Sequence, residues 1–253
     1  MDLKGRVAVV TGGATGIGRA ASLAFARAGA GVAVNYSRSA QAADATVREI
    51  VSLGGRALAL RCDVSGDRDV RVMMDRVVKE LGGLDILVNN AGWTKRVQPH
   101  SDLESLTDDV WDRVWAVNVK GAFYCVRAAA EHMRRRGAGS VVNVTSVAAL
   151  AGTGSSMAYA ASKAALTTLT KSLARALAPT VRVNAVAPGL VATGFGGWTE
   201  VNWKATAGVT PIGRLPTEAE TAEAIVYLAT ADGVTGQTIV MDGGLLTLGP
   251  TSR

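Results

Sequence analysis

Short apolar runs alternate with longer amphipathic stretches along the whole chain. Residues 6–11 carry four consecutive apolar side chains, the composition of a strand buried on both faces. Residues 16–28 place apolar side chains at helical spacing, and 31–36 reads as a second strand. The alternation goes on to predict helices at 41–53, 67–81, 107–135, 156–177 and 218–230, with strands at 56–61, 84–89, 140–145, 181–186 and 238–241. A helix between successive strands brings each strand back parallel to the last, so the expected class is α/β. One domain over 1–253 is expected, a doubly wound, seven-stranded parallel sheet with helices on both faces. Residues 188–216, rich in Gly, Pro and Trp, break the pattern as a long loop.

Composition agrees with a single core: 253 residues are 48% hydrophobic and 19% charged. The formal net charge of +6 raises the question of a polyanionic partner. The basic residues are dispersed, however. Their one run, Arg134-Arg135-Arg136, closes a helix just before Gly137, where cations complement the helix dipole. Neither nucleic acid nor a membrane is therefore expected as a partner. Cys62 and Cys125 lack the spacing of a metal site or a disulfide framework and read as buried thiols, with no metal expected. The opening residues carry no signal-peptide core, and 7–10 is too short to span a membrane, so a cytoplasmic location is expected.

Chemistry begins at Thr11-Gly12-Gly13-Ala14-Thr15-Gly16-Ile17-Gly18, directly after the first strand. A helix opening there aims backbone N–H groups at an anion, and a pyrophosphate fits. Gly12 allows the tight turn, Gly16 lets the backbone approach the ligand with Thr15 and Ile17 beside it, and Gly18 permits close helix–strand packing. The construction is that of a Rossmann fold. The second strand ends Asn35-Tyr36-Ser37-Arg38-Ser39, with no carboxylate before Asp44 to accept ribose hydroxyls. Arg38 can instead pair with a 2′-phosphate and Ser37 donate to it, which favours NADP over NAD. Asp63-Val64 and Asn90-Ala91-Gly92 follow the third and fourth strands, at the sheet edge where open α/β sheets bind ligands. Each segment can also be a plain strand-to-helix turn.

Tyr159 and Lys163 stand four apart at the start of a helix and share a face. A phenol titrates near 10, and an adjacent ammonium favours its ionised form, so the pair is suited to acid–base work. Ser146 emerges after the strand at 140–145, where its hydroxyl can donate to a carbonyl oxygen. Asn118 sits in a helical stretch it does not favour, so it either has a polar partner or marks a kink. His100 and His132 are the only histidines and neither accompanies a Ser or Cys motif, which disfavours a Ser-His-Asp hydrolase.

From Thr11-Gly12 through Asn89-Asn90-Ala91-Gly92, Asn118, Ser146, Tyr159-x-x-x-Lys163 and Pro188-Gly189 to Val240-Met-Asp-Gly-Gly244, the chain resembles the short-chain dehydrogenase/reductase family. It is similar to its 3-oxoacyl-acyl-carrier-protein reductase-like and glucose dehydrogenase-like members. The resemblance implies an NADP(H)-dependent oxidoreductase moving hydride between nicotinamide and a carbonyl or secondary alcohol. By it Ser146 polarises the carbonyl, Tyr159 donates the proton, Lys163 lowers the tyrosine pKa and bonds the nicotinamide ribose, and Asn118 holds a water linking Lys163 to solvent. Pro188, Gly189, Val191 and Thr193 would embrace the nicotinamide, and the protein would be a homotetramer.

The helix end at 176–180 lacks the basic residue that acyl-carrier-protein reductases often carry there, so a 3-oxoacyl thioester and a small ketone both stay open as substrates. Glycines and aromatics between Gly194 and Gly213 suit a lid over an apolar substrate, with Trp93 and Trp198 as pocket walls and Lys204 the one candidate cation. The helix at 157–178 is apolar nearly all round, which calls for a partner subunit. A nucleotide-sensing binding protein on the same fold is the other reading. The intact Asn, Ser, Tyr, Lys set argues against it.

Overall fold

Val7 and Val9 of the first strand, β1 (Val7–Val10), point into one apolar core, and Ala8 and Val10 into a second. Successive strand residues face opposite ways, so an uninterrupted apolar strand must be covered on both sides. The computed structural model of the chain, which describes residues 1–251, shows that arrangement in the central strands, with the two edge strands only partly covered. Strands β2 (Gly31–Tyr36), β3 (Ala57–Arg61), β4 (Ile86–Asn89), β5 (Gly139–Val144), β6 (Val181–Pro188) and β7 (Thr238–Met241) join β1 in one parallel sheet ordered β3-β2-β1-β4-β5-β6-β7.

One core lies under α3 (Asp67–Leu81), α5 (Ala122–Arg135) and α7 (Met157–Leu177), centred on Met74, Leu87 and Met133. The other lies under α1 (Gly16–Arg27), α2 (Ala40–Ser52) and α9 (Glu218–Thr230), centred on Phe25, Ile50, Ile225 and Leu228. Each of these fully buried side chains contributes about 2 kcal/mol relative to an exposed one. The expected single-domain, doubly wound Rossmann architecture is therefore the observed one. Chain direction across the sheet reverses between β1 and β4, and the crevice at their carboxyl ends is where such sheets take ligands.

The helical stretch expected over 107–135 is three pieces: α4 (Asp108–Trp115), a widened π turn at Ala116–Gly121, and α5. A π turn inserts one residue into the helix and reorients the side chains after it. Asn118 lies inside it. The loop expected over 188–216 contains α8 (Glu200–Val209), whose start is a capping box formed by Thr199 and Asn202. None of its residues is buried, so no apolar stripe betrays it. Short helices α6 (Ala148–Ala151) and α10 (Leu245–Leu248) follow β5 and β7.

The basic run ends α5 as expected. Arg135 pairs with Glu131 at 3.1 Å, and Arg136 pairs at 2.8 Å with Asp85, a fully buried carboxylate that Arg6 also holds at 3.0 Å. Cys62 and Cys125 are buried free thiols, and burial pushes both thiols up. No helix among the described residues is long and apolar enough to cross a membrane.

Candidate active site

Backbone geometry at the first turn leaves open what an anion needs. Gly12 and Gly16 hold φ of 61° and 54°, which L side chains rarely adopt. A Cβ on Gly18 would stand 2.2 Å from the Gly12 carbonyl oxygen and 2.5 Å from Asn90 Nδ2, so this glycine lets α1 close onto the turn and the β4 loop. Thr15 caps α1 without a side-chain hydrogen bond, and the first helical turn carries no acid. Its N–H groups are therefore free to face a ligand. Asn90 secures the turn by donating to Thr11 O and Gly12 O at 3.0 Å each.

A cavity of about 970 Å³ runs from this turn along the carboxyl edge of the sheet. Gly12, Thr15, Gly16 and Ile17 line it, with Tyr36, Ser37 and Arg38 after β2 and Asp63 and Val64 after β3. Asn90, Ala91 and Gly92 follow β4, Ser146 follows β5, Tyr159 and Lys163 come from α7, and Pro188, Gly189, Val191 and Thr193 follow β6. Gly18 and Asn118, the two remaining candidates, sit behind the wall.

At the β2–β3 end Arg38 is exposed and, among the described residues, makes no ion pair. Asp63 is less free. One of its oxygens takes the Ser65 N–H and hydroxyl at 3.0 and 2.7 Å, and the other takes Arg113 Nη2 at 2.9 Å. Partial burial works to raise its pKa, but the bonds from Ser65 and Arg113 outweigh it and hold the carboxyl below its ordinary value. A second hollow of about 580 Å³ adjoins this end, sharing Ser37, Arg38, Asp63 and Arg113 and adding Arg61 and Arg76.

At the other end, Ser156 caps α7 by accepting the Tyr159 N–H at 3.2 Å, which fixes the tyrosine in the first turn. Burial pushes the Tyr159 phenol up to about 12, with the hydrogen bond to the Ser146 side chain acting the other way. Lys163 Nζ lies 5.6 Å from the Tyr159 ring centroid and donates to Val144 O at 2.7 Å. Burial brings this amine down to about 8. Desolvation is the larger of these two influences on the phenol, and it favours the protonated form.

Both polar atoms of the Asn118 side chain have protein partners. Its Oδ1 accepts Trp93 N–H at 2.8 Å, and its Nδ2 donates to Trp93 O and Ser162 Oγ at 3.0 Å each. Ser162 Oγ in turn donates to Tyr159 O at 2.7 Å. Asn118 therefore ties the β4 loop to α7. Over the cavity, the Phe195 ring lies 5.9 Å from the Tyr159 ring, and Trp198 lines the wall beneath Arg96, whose Cζ is 4.3 Å from the indole centroid. Trp93 lines the same cavity. Lys204, the expected candidate cation, is outside it and pairs with Glu200 at 2.8 Å.

The family model described as "Enoyl-(Acyl carrier protein) reductase" matches residues 12–246. A cis-4-hydroxycyclohexanecarboxylate dehydrogenase from Sinomonas cyclohexanicum is 40% identical over 94% of this chain and 96% of its own. A short chain dehydrogenase from Burkholderia cenocepacia, solved in complex with NADP, superposes with a TM-score of 0.89 at 36% identity, covering 98% of this chain and 100% of the other. The chain belongs to the short-chain dehydrogenase/reductase family. A 7α-hydroxysteroid dehydrogenase solved with NADH and 7-oxo glycochenodeoxycholic acid superposes with a TM-score of 0.87 at 34% identity over 96% of this chain and 94% of that one. Such relatives are named reductases and dehydrogenases, and this short-chain dehydrogenase/reductase is likewise an oxidoreductase acting on CH–OH or carbonyl groups.

Several groups in this short-chain dehydrogenase/reductase were not foreseen as site residues. Asn35 is 1% exposed within apolar β2. It accepts Gly12 N–H at 3.2 Å and donates to Leu60 O and Cys62 O, joining the glycine turn to β3. A polar residue in an otherwise apolar strand was its one signal. Asp242 accepts Gly244 N–H and Leu246 N–H at 2.8 and 2.7 Å and lines the cavity beside Gly189. Arg113 reaches Asp63 across 50 residues of chain, which no local pattern announces.

Proposed function

We propose that this protein is an NADP(H)-dependent carbonyl reductase, and secondary-alcohol dehydrogenase in reverse, with Tyr159 as general acid and base. The observation that carries this reading is a buried phenol beside the Ser146 hydroxyl and the Lys163 amine, in one cavity with a helix N-terminus whose cap residue makes no side-chain hydrogen bond.

The cavity suits a dinucleotide. Gly12, Thr15, Gly16 and Ile17 would hold the pyrophosphate, Ser37 and Arg38 the 2′-phosphate, and Tyr36, Asp63 and Val64 the adenosine. Asn90, Ala91, Gly92, Pro188, Gly189, Val191 and Thr193 would hold the nicotinamide end. Bound there, the cofactor supplies or accepts the hydride. Ser146 donates a hydrogen bond to the substrate oxygen, and Tyr159 transfers its proton to that oxygen as negative charge develops. An alkoxide is a far stronger base than a phenolate, so a phenol near 12 is a competent donor. Lys163, charged at neutral pH, steadies the phenolate left behind. Asn118 acts at one remove, by holding Trp93 and Ser162.

NADP is preferred because Arg38 is unpaired where an NAD site would place an acid. Relatives bind either cofactor, NADP in the Burkholderia cenocepacia enzyme and NADH in the steroid dehydrogenase. We read the chain over 1–253 as one cofactor-binding domain, with 188–216 its substrate segment, acting in the cytoplasm as a homotetramer. In support of assembly, β7 is an edge strand only half buried, and Trp111, Trp115 and Phe123 are exposed apolar side chains of α4 and α5. The test is NADPH consumption, followed by absorbance, across a panel of ketones and aldehydes. Turnover with at least one is expected. Tight NADPH binding with no turnover across the panel would replace this reading with that of a nucleotide-sensing protein.

A further inference from the structure

The walls that meet the substrate differ in character from the walls that suit the dinucleotide. Among the described residues, the charged side chains lining the cavity are Arg38, Asp63 and Arg113 at the β2–β3 end, with Lys163 and Asp242 elsewhere. The segment over 190–215, the C-terminal turn and the β4 loop contribute Leu190, Phe195, Trp198, Leu215, Leu246 and Trp93. These are apolar and three are aromatic. Apart from Asp242, the polar side-chain groups along these walls are neutral, hydroxyls and the indole N–H groups of Trp93 and Trp198, and two of the hydroxyls are already spent: Ser155 is bonded to Thr94 at 2.7 Å, and Thr210 donates to Thr206 O at 2.7 Å.

Cations near this end are each engaged elsewhere. Lys163 is turned to the Val144 carbonyl. Arg96 lies flat over Trp198 and donates to Gly197 O at 3.0 Å, so it clasps the lid. Lys95 donates to Ser105 O, Lys204 pairs with Glu200, and Arg214 pairs with Glu220 at 2.9 Å. The carboxylate lining this region, Asp242, is held by backbone N–H groups, with no cation on it among the described residues. A ligand carboxylate against the lid wall would lose its water, find no unpaired cation on that wall among the described residues and meet the Asp242 carboxylate, with Lys163 reserved for the phenol at the far side. An apolar ring would bury its surface against the aromatic walls.

We propose that the lid side of this cavity selects an uncharged carbonyl compound with an apolar, ring-sized skeleton, and rejects the same skeleton when it carries a carboxylate. This rests on the carbonyl-reductase reading and narrows it to a substrate class. It also assigns Arg96 as a positioning residue that holds Trp198 and Gly197 in the wall, in place of a receptor for an acid.

The test uses a matched pair, a cyclohexanone bearing a methyl ester at the far ring carbon and the same ketone as its free carboxylate. Binding of each to the NADP-loaded protein is measured by calorimetry, with NADPH consumption read separately. The ester is expected to bind about 100-fold tighter than the acid, the scale of an unpaired charge taken out of water. Equal affinity, tighter binding of the acid, or no binding of the ester overturns the proposal. Turnover decides the carbonyl-reductase reading independently, since a ketone can bind the oxidised complex without reacting. In Arg96→Gln both ligands are expected to weaken by the same factor. A loss confined to the carboxylate would make Arg96 its receptor and contradict the proposal.

Discussion

Asn118 takes up both polar groups of the Trp93 backbone, accepting its N–H at 2.8 Å and donating to its carbonyl at 3.0 Å. The same amide donates to Ser162 Oγ, one residue from Lys163. Asn118 is 1% exposed, so its removal would leave buried groups unpartnered. Asn118→Ala is expected to lower stability by about 1–3 kcal/mol in denaturant unfolding and to shift Trp93 fluorescence. Turnover is expected to fall more than cofactor affinity, because the loosened wall is the one next to Tyr159.

Arg38 offers its guanidinium unpaired at the end of β2, and a charge-assisted bond there distinguishes the two cofactors. Arg38→Ala is expected to weaken NADPH binding roughly 10- to 100-fold, as the loss of such a bond implies, with NADH affinity nearly unchanged. Titration of both cofactors measures it. Equal weakening of the two would remove Arg38 from the 2′-phosphate.

Lys163 separates activity from stability. Burial lowers its pKa from 10.5 to about 8, so at neutral pH the folded protein carries a buried charge at a cost of roughly 3 kcal/mol. Below about pH 8 folded and unfolded chains both hold this proton, whereas between about 8 and 10.5 the unfolded chain alone holds it. Folded stability from this group therefore rises with pH across that window. Lys163→Met is expected to be inactive and yet at least as stable as the parent at pH 7, and to lack that rise. Thermal melting of both proteins at several pH values checks it.

The sheet was legible because uninterrupted apolar runs such as 7–10 and 86–88 admit few environments other than one covered on both faces. The glycine turn was legible because its close approaches require the absence of Cβ atoms, as the Gly18 contacts bear out. Less legible was whatever depends on contacts distant in sequence. The commitment of Asp63 to Arg113 and the spending of Asn118 on Trp93 are set by how α4 and the π turn pack. Helix α8 escaped because an exposed helix need not carry an apolar stripe. The raised pKa of Tyr159 escaped as well, since spacing reveals the neighbouring lysine but not the depth at which the phenol is buried.

The central claim is that Tyr159 supplies the proton. Tyr159→Phe removes one oxygen from a side chain 9% exposed and should fold like the parent. Measured on a ketone that the parent reduces, the variant is expected to bind NADPH with unchanged affinity while losing about two to four orders of magnitude in kcat, the range of general acid catalysis. A Tyr159→Phe protein that turns the ketone over at the parent's rate would contradict the account.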